Sequence, residues 1–424
     1  MGDAVLWYDG SVKRVRIVLV VLLALASVAA SSTAARGRPT AFRGGAGAQS
    51  RAATPGTSSL EDAYRFLYAM MDRYATGSQL RLVQSFQRGP LERRHYTDSV
   101  TYDDALVIDA LLGRGEPEDL ARAEVLGNSL LYVQAEDPRR DGRIRAAYPP
   151  TPLSSPEDAQ ATEATSDVGN MAWVGQALVQ LYARTGRSTY LSGARALGEW
   201  IETNAYDTRG AGGYTGGESA AGRRIEWKST EHNIDLYAFF TLLAQTTGES
   251  AWSADAQWAR GFVESMWNPS QGMFWVGSGE DGVTPNEVVL AEDVNSWSYL
   301  ALHDAAYAGS VDWDVEHLSV SRRGFSGVSF CAGSRKAVWF EGTAHLADAL
   351  ELRGSPGDPE RARTYLEDVA HAQEDGANGD GLGVIAASKK LSNCEGEHYF
   401  PSLHTGATAW YLLALEGDDP FTLL

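Results

Sequence analysis

The stretch TEHNIDLYAFFTLLA, residues 230–244, joins a polar cluster to an apolar run in which Asp235 is the single charged residue. The same order of a polar or aromatic cluster and an apolar run recurs at residues 102–112, 167–182, 292–302, 340–350 and 403–415. Anchor residues in the six clusters are 66, 63, 62, 48 and 62 residues apart: Asp104, Asn170, Asn233, Asn295, Thr343 and Thr405. A period of about 60 residues is longer than solenoid repeats and suits a hairpin of two helices with its loops.

Amphipathic segments alternate with the six apolar runs and carry their charges on one face, as outer helices do. They include residues 119–134, 189–203, 254–267 and 359–373. The runs carry almost no charge, which predicts helices that are buried on all sides. The pattern therefore predicts an all-α fold, an (α/α)6 toroid over residues 58–424, with short, extended, glycine-rich loops at its rim. The shortened spacing near Asp312–Gly333 predicts a short fourth outer helix.

The composition restricts the partners. The chain has 424 residues and a formal net charge of −19 at pH 7, so it should repel nucleic acids and anionic membranes. The sequence contains no GxSxG elbow, P-loop or HExxH pair, which are the usual signs of serine hydrolases, phosphate transfer and metalloproteases. We expect no metal, no cofactor and a monomer that binds an oligo- or polysaccharide; the charge is compatible with neutral or cationic small molecules as well as polysaccharides.

The first residues are typical of an export signal. Basic residues precede the apolar stretch Ile17–Ala26, and small residues follow it. We predict a signal peptide at 1–30, a linker at 31–57, a secreted or cell-envelope location, and no stable membrane insertion after cleavage; a retained anchor is the alternative. Cys331 and Cys394 could form a disulfide in that compartment or remain two buried thiols.

Carboxylates near the starts of the inner helices are the candidate catalytic groups, because a closed ring gathers all six starts around one hole. Glycosidic hydrolysis needs one carboxyl group as an acid and a second as a base or nucleophile. Glu231 follows Trp227, and shielding from water would raise its pKa as an acid requires. We predict Glu231 as the acid and Asp104 or Asp293 as the base; helix capping or a salt bridge would be the structural explanation of each.

Further polar and aromatic residues of the clusters are candidates for substrate binding. Indole faces stack on the C–H faces of sugar rings, and carboxylates bind hydroxyl groups. Core packing for the tryptophans and helix capping for the polar residues are the alternatives. The predicted set is Asp103, Asp167, Trp227, His232, Asn233, Asp235, Trp297, Trp339, Glu341 and His404.

The chain resembles the six-hairpin glycosidase superfamily over about residues 58–424. The resemblance lies in TEHNID at 230–235, EDVNSW at 292–297 and WFEGTA at 339–344. It implies an (α/α)6 barrel that cleaves a glycosidic bond, commonly by inversion, with carboxylates at the inner-helix rim. Polysaccharide lyases and sugar epimerases share the architecture, so the fold does not settle the reaction.

These observations predict a secreted glycoside hydrolase that acts on an oligo- or polysaccharide. The first alternative is a lyase or epimerase that uses Tyr237, His232, His398 or His404 as its base, with Asn233 or the arginines at 223–224 binding a uronate. The second alternative is a saccharide-binding protein without catalysis, which would keep the aromatic residues and not need paired carboxylates.

Overall fold

The structure is a computed structural model that describes residues 57–424. The predicted signal peptide and nearly all of the predicted linker lie outside the described residues. Thr57 already belongs to the first helix, one residue before the predicted start of the folded domain.

The described chain is mainly helical. Its α-helices are α1 (Thr57–Met71), α2 (Gly89–Glu92), α3 (Thr101–Arg114), α4 (Pro117–Ala135), α5 (Val168–Thr185), α6 (Ser188–Ala205), α7 (Thr230–Thr247), α8 (Ser250–Ser265), α9 (Asp293–Leu302), α10 (Ala308–Leu318), α11 (Phe340–Arg353), α12 (Asp358–Asp375) and α13 (Thr405–Glu416). Within residues 57–424 no helix is long and apolar enough to cross a membrane.

Six of these helices form a closed inner ring. α3, α5, α7, α9, α11 and α13 each pack against the next, and α13 packs against α3. α4, α6, α8, α10 and α12 lie outside and pack on the inner helix that precedes each of them, while α1 packs on α13. This arrangement confirms the predicted (α/α)6 toroid. The fourth outer helix, α10, has 11 residues and continues into a β-hairpin, as its short spacing predicted.

Short antiparallel strands lie in the connections. They are β1 (Phe86–Gln87), β2 (Ser99–Val100), β3 (Ala147–Tyr148), β4 (Ser166–Asp167), β5 (Gly217–Glu218), β6 (Arg224–Ile225), β7 (Trp267–Asn268), β8 (Met273–Phe274), β9 (Ser319–Arg322), β10 (Phe325–Val328), β11 (Leu391–Ser392), β12 (His398–Tyr399) and β13 (Leu403–His404). Their sheets are β1–β13, β2–β3, β4–β5–β6, β7–β8, β9–β10 and β11–β12. They include the glycine-rich segments that were expected at the rim.

One hydrogen bond recurs near the start of the inner helices. On five of them, a polar side chain accepts a bond from a backbone N–H of the segment that leads back from the outer helix, at 2.8–3.1 Å. The pairs are Asp104 with Val83, Asn233 with Tyr214, Asn295 with Phe274, Thr343 with Val328, and Thr408 with Val384. On α13 the equivalent residue is thus Thr408 and not the anchor Thr405. Each bond joins the rim loop of one hairpin to its inner helix.

Aromatic side chains fill the hole of the ring. The indoles of Trp173, Trp297 and Trp410 contact one another at centroid distances of 5.3–5.9 Å. Phe421 follows the last inner helix and packs against Trp173 at 5.2 Å. Because all inner helices run in one direction, their N-terminal ends lie together on one side of this plug. We call the region that these ends enclose the recess, and its solvent side the mouth.

A disulfide joins Cys331 to Cys394, which decides between the two alternatives for the cysteines. Cys331 precedes α11, and Cys394 lies in the turn between β11 and β12. The bond therefore holds the β11–β12 hairpin to the loop before the fifth inner helix.

We expect Asn233→Ala to lower the free energy of unfolding by about 3 kcal/mol, because it leaves buried backbone groups without partners. The Asn233 side chain is fully buried and bonds the N–H and C=O of Tyr214 at 2.9 and 3.0 Å and the C=O of Ser229 at 2.7 Å. Urea denaturation would measure the loss. Gln257→Ala, at an exposed position on α8, is the control and should stay within about 0.5 kcal/mol of wild type. A loss no larger than the control's would contradict the structural role of Asn233.

Candidate active site

Equivalent positions on three successive inner helices carry carboxylates. Glu231 on α7, Asp293 on α9 and Glu341 on α11 each lie two residues before the residue that makes the recurring bond. Tyr102 takes the same position on α3. The closed ring therefore directs these four residues to one end of the barrel, above the aromatic plug.

Glu231 and Asp293 form an interacting pair on neighbouring helices. Burial raises the pKa of Glu231 well above its usual value, and the nearby charge of Asp293 is the next largest cause. Burial also raises the pKa of Asp293 to about 7, although the N–H of Val294, at 2.8 Å, stabilises its charged form. Glu231 as a whole residue is partly exposed, but its carboxyl group is surrounded by protein. Glu231 therefore favours its protonated form, and Asp293 titrates near neutral pH, where an exposed carboxyl group would be fully ionised.

Glu341 is the centre of a second polar chain. The hydroxyl group of Tyr102 donates to Glu341 Oε1 at 2.8 Å and accepts from the indole N–H of Trp410 at 2.7 Å. His404 Nδ1 lies 3.4 Å from Glu341 Oε2, and His404 Nε2 lies 3.6 Å from Asp103 Oδ1. Burial raises the pKa of Glu341 to about 7, against the attraction of His404.

His404 is suited to hold or transfer a proton. It caps α13, and its Nδ1 accepts from the N–H of Ala407 at 3.3 Å, so the neutral ring carries its proton on Nε2, toward Asp103. Burial alone would lower the pKa of His404, but the charges of Asp103 and Glu341 outweigh it and raise the pKa. Phe86 stacks on the imidazole at 4.2 Å and fixes the plane of the ring.

A deeper layer lies one helical turn below the three carboxylates. Asp235 follows Glu231 by four residues, and His345 follows Glu341 by four. His345 Nδ1 lies 3.2 Å from Glu292 Oε2, and Nε2 lies 3.9 Å from Glu341. Burial lowers the pKa of His345 far below its usual value and raises those of Asp235 and Glu292, so this layer favours uncharged forms.

The rim adds further polar groups. Asp167, before α5, has a pKa raised to about 7 by burial and by the charges of Glu163 and Glu397. His232 packs beside Trp227 at a centroid distance of 5.8 Å, and burial lowers its pKa to about 4. Both rings are only partly buried, so this pair offers an aromatic surface at the mouth.

Two predicted polar site residues have structural roles instead. Asp104 is fully buried, and its oxygens accept from the N–H of Val83 and the hydroxyl group of Ser99, both at 2.8 Å. The structure thus gives no support to Asp104 as a base, because both oxygens are bonded to the rim loop. Asn233 is occupied in the same way by the backbone that precedes α7.

Two predicted sugar-stacking residues are packed into the protein. Trp297 is 3% exposed and lies against Trp410 and His345 within the plug. Trp339 is also 3% exposed and packs on Phe330 at 4.5 Å. We therefore assign both indoles to the walls, because their faces are covered by other rings.

Some residues around the recess were not predicted as site residues. His345 could have been found, since it repeats the four-residue spacing of Glu231 and Asp235. Tyr399, Glu395 and Glu397 lie on the β11–β12 hairpin and have no periodic signal in the sequence. The hairpin folds back over the ring of helices. Glu395 therefore raises the pKa of Glu231, and the rim carboxylates raise that of Tyr399.

Comparisons with known proteins give a match at the level of structure. The sequence matches no protein-family model and no curated protein. Solved structures share its fold. A D-mannose isomerase is 12% identical with a TM-score of 0.62 over 87% of this chain and 98% of its own. A cellobiose 2-epimerase from Bacillus thermoamylovorans is 10% identical with a TM-score of 0.63, covering 85% and 98%. An alpha-amylase from Clostridium perfringens is 11% identical with a TM-score of 0.60, covering 85% and 98%.

The chain has the six-hairpin fold. These solved structures share that fold, and the resemblance predicted from the sequence is confirmed at the level of the fold. At such low identity the likeness establishes the fold alone. Isomerase, epimerase and amylase among the similar structures show that one toroid supports several reactions on sugars.

The raised pKa values predict that the folded protein is less stable at higher pH. Between about pH 4 and pH 7 the folded state keeps protons on Asp293 and Glu341 that the unfolded chain has released, so the free energy of unfolding falls as pH rises through this window. Glu341→Gln removes one such group. The free energy of unfolding of the variant minus that of wild type should therefore rise by on the order of 1 kcal/mol as the pH increases from 5 to 8.

Urea denaturation at several pH values would measure this difference. Glu360→Gln, an exposed change on α12, is the matched control, and its difference from wild type should not vary with pH. A Glu341→Gln difference that is equally constant would show that Glu341 is ionised throughout.

Proposed function

We propose that the protein is a sugar-processing enzyme, and specifically a glycoside hydrolase that cleaves an oligo- or polysaccharide. The observation that carries the proposal is the pair Glu231 and Asp293, two interacting carboxyl groups with raised pKa values at the starts of adjacent inner helices. Glycosidic hydrolysis requires one protonated and one ionised carboxyl group beside the scissile bond. The similar structures include enzymes whose names refer to sugars.

The environments divide the two roles. Burial raises the pKa of Glu231 well above its usual value and so favours its protonated form, which suits the acid. Asp293 loses its proton at about pH 7, and its charge is stabilised by the helix N-terminus. This separation is the pattern that assigns acid and base roles in paired carboxyl sites.

The proposed reaction is inversion, which the superfamily resemblance implies. Glu231 transfers its proton to the glycosidic oxygen as the bond between that oxygen and the anomeric carbon breaks. A water molecule attacks the anomeric carbon from the opposite face and gives its proton to Asp293. The products are a free alcohol and a reducing sugar, and solvent then returns both carboxyl groups to their starting forms. Glu341, Asp167 and the Trp227–His232 pair bind and orient the sugar.

A second candidate function has its own support. Asp103, His404 and Glu341 form a chain in which a proton can move between an imidazole and two carboxylates. Isomerisation or epimerisation beside a sugar carbonyl group needs such a base and acid, because a proton leaves carbon and returns to it. This is the epimerase alternative, with His404 as the base.

The lyase alternative loses support because Arg224, one of its two candidate arginines, is bonded elsewhere. Arg224 donates to the C=O of Tyr206 at 2.9 Å and pairs with Asp207 at 3.3 Å, so it does not supply a cation for a uronate in the recess. Export and a monomeric state are parts of the proposal. A disulfide suits an oxidising compartment, and one chain contributes every group named above.

Product analysis of wild type and Glu231→Gln on a panel of polysaccharides tests the proposal. We expect saturated reducing sugars from wild type and a loss of about a thousandfold in kcat for the variant, because the leaving oxygen would depart without a proton. Glu360→Gln is the matched control, with full activity. Proton NMR of the first product formed would show the inverted anomer.

The same assay in D2O separates the two candidate functions. An epimerase or isomerase would incorporate deuterium on carbon without cleaving a glycosidic bond. If His404→Gln abolished this incorporation and Glu231→Gln did not, the epimerase or isomerase would replace the hydrolase. Full hydrolytic activity of Glu231→Gln would contradict the assignment of Glu231 as the acid.

A further inference from the structure

Carboxylates are the leading charges that act on Glu231, Asp293, Asp167 and Glu397 in the recess. Glu231 is affected by Asp293, Asp235, Glu395 and Glu341. Asp167 is affected by Glu163 and Glu397, and Glu397 by Glu395 and Glu163, with its pKa raised to about 7 first by burial. Glu341 differs from them, because the strongest charge acting on it is that of His404. A recess with this charge pattern stabilises a bound cation.

The β11–β12 hairpin supplies two of these carboxylates in a fixed position. The turn between its strands is ordered by Asn393, whose side-chain oxygen accepts from the N–H groups of Glu395 and Glu397 at 3.0 and 2.9 Å. Cys394, between them, is bonded to Cys331 on the neighbouring loop. Glu395 and Glu397 are therefore held at the mouth, and both act on carboxylates that lie deeper in it.

A buried acceptor in the recess has no partner within the protein. Asp103 is 2% exposed, and its Oδ2 forms no hydrogen bond, while its Oδ1 faces His404. A buried carboxylate oxygen without a donor is costly. A donor on a ligand in the recess would satisfy it, which is an indication of ligand binding independent of the charge pattern.

The basic groups near the hairpin lie on its exposed side. The pKa of the exposed His398 is lowered, first by partial burial and then by the charges of Lys390 and Arg94. In the described part of the chain, no three acidic, histidine or cysteine residues are grouped closely enough to hold a metal ion. The spread of the carboxylates thus suits an organic cation with its charge on a larger molecule.

We propose that the recess recognises an amino sugar, a saccharide with a protonated amino group that Glu395 and Glu397 bind at the mouth. The inference rests on the proposed function, in which this recess holds the sugar substrate. It adds the chemical class of that substrate and two specificity-determining residues. An ammonium group forms charge-assisted hydrogen bonds with carboxylates, which a hydroxyl or acetamido group at the same carbon does not.

Calorimetry with three tetrasaccharides of the same β-1,4 linkage tests this proposal, using glucosamine, glucose and N-acetylglucosamine units. We expect the glucosamine compound to bind at least about tenfold more tightly than the other two, and salt to weaken that binding alone. Its binding should also release protons, measured by repeating the titration in buffers of different ionisation enthalpy, because a cation favours the ionised carboxylates.

The double variant E395Q/E397Q should lose about tenfold in affinity for the glucosamine tetrasaccharide and keep its affinity for the glucose compound. The control E360Q/E367Q makes the same change of charge on the exposed face of α12 and should bind all three as wild type does. Equal affinity of wild type for the three compounds, at any level, would overturn the proposal, as would an unaltered E395Q/E397Q.

The outcome separates this inference from the hydrolase proposal. Cleavage of neutral oligosaccharides without preference for the amine would remove the amino-sugar inference and leave the hydrolase. Tight binding of the amine that depends on Glu395 and Glu397, without saturated products, would remove the hydrolase proposal and keep the amino-sugar inference.

Discussion

The structure depends on the closure of six helical hairpins with every inner helix in the same direction. Closure brings six helix N-termini, with their free N–H groups and positive dipole ends, to one side of the ring. Buried carboxylates are unfavourable in most positions of a protein. Here the helix N-termini offset part of the desolvation cost of Glu231, Asp293 and Glu341, so the same constraint that makes the ring also permits the site.

The recurring bond between an inner helix and its rim loop makes this geometry precise. Asn295, for example, accepts from Phe274 at 2.9 Å and donates to Ala291 at 3.0 Å. Because that residue is fixed by the loop, the carboxylate two positions before it is directed into the recess. The aromatic plug fills the ring on the side of the helix C-terminal ends.

The sequence predicted what depends on local pattern and repetition. The inner helices could be read from their nearly uncharged runs, and Glu231, Asp293, Glu341 and Asp167 from their place at the start of each run. The roles of Asp104 and Asn233 could not be separated from those of their neighbours, because a side chain that bonds a rim loop and one that faces the recess occupy adjacent positions. For Trp297 and Trp339, sugar stacking and core packing could not be distinguished, because the sequence does not tell which face of an indole another ring covers. The β11–β12 hairpin could not be placed at all, because its position depends on a disulfide and on contacts between distant segments.

The Glu231–Asp293 pair and the Asp103–His404–Glu341 chain lie in one recess. A crystal structure of Glu231→Gln with a bound oligosaccharide tests the account most directly. The account predicts a glycosidic oxygen beside residue 231 and an anomeric carbon that faces Asp293 across a water molecule. A sugar bound outside the ring of inner-helix N-termini, or bound with residues 231 and 293 on the same side of the glycosidic bond, would contradict it.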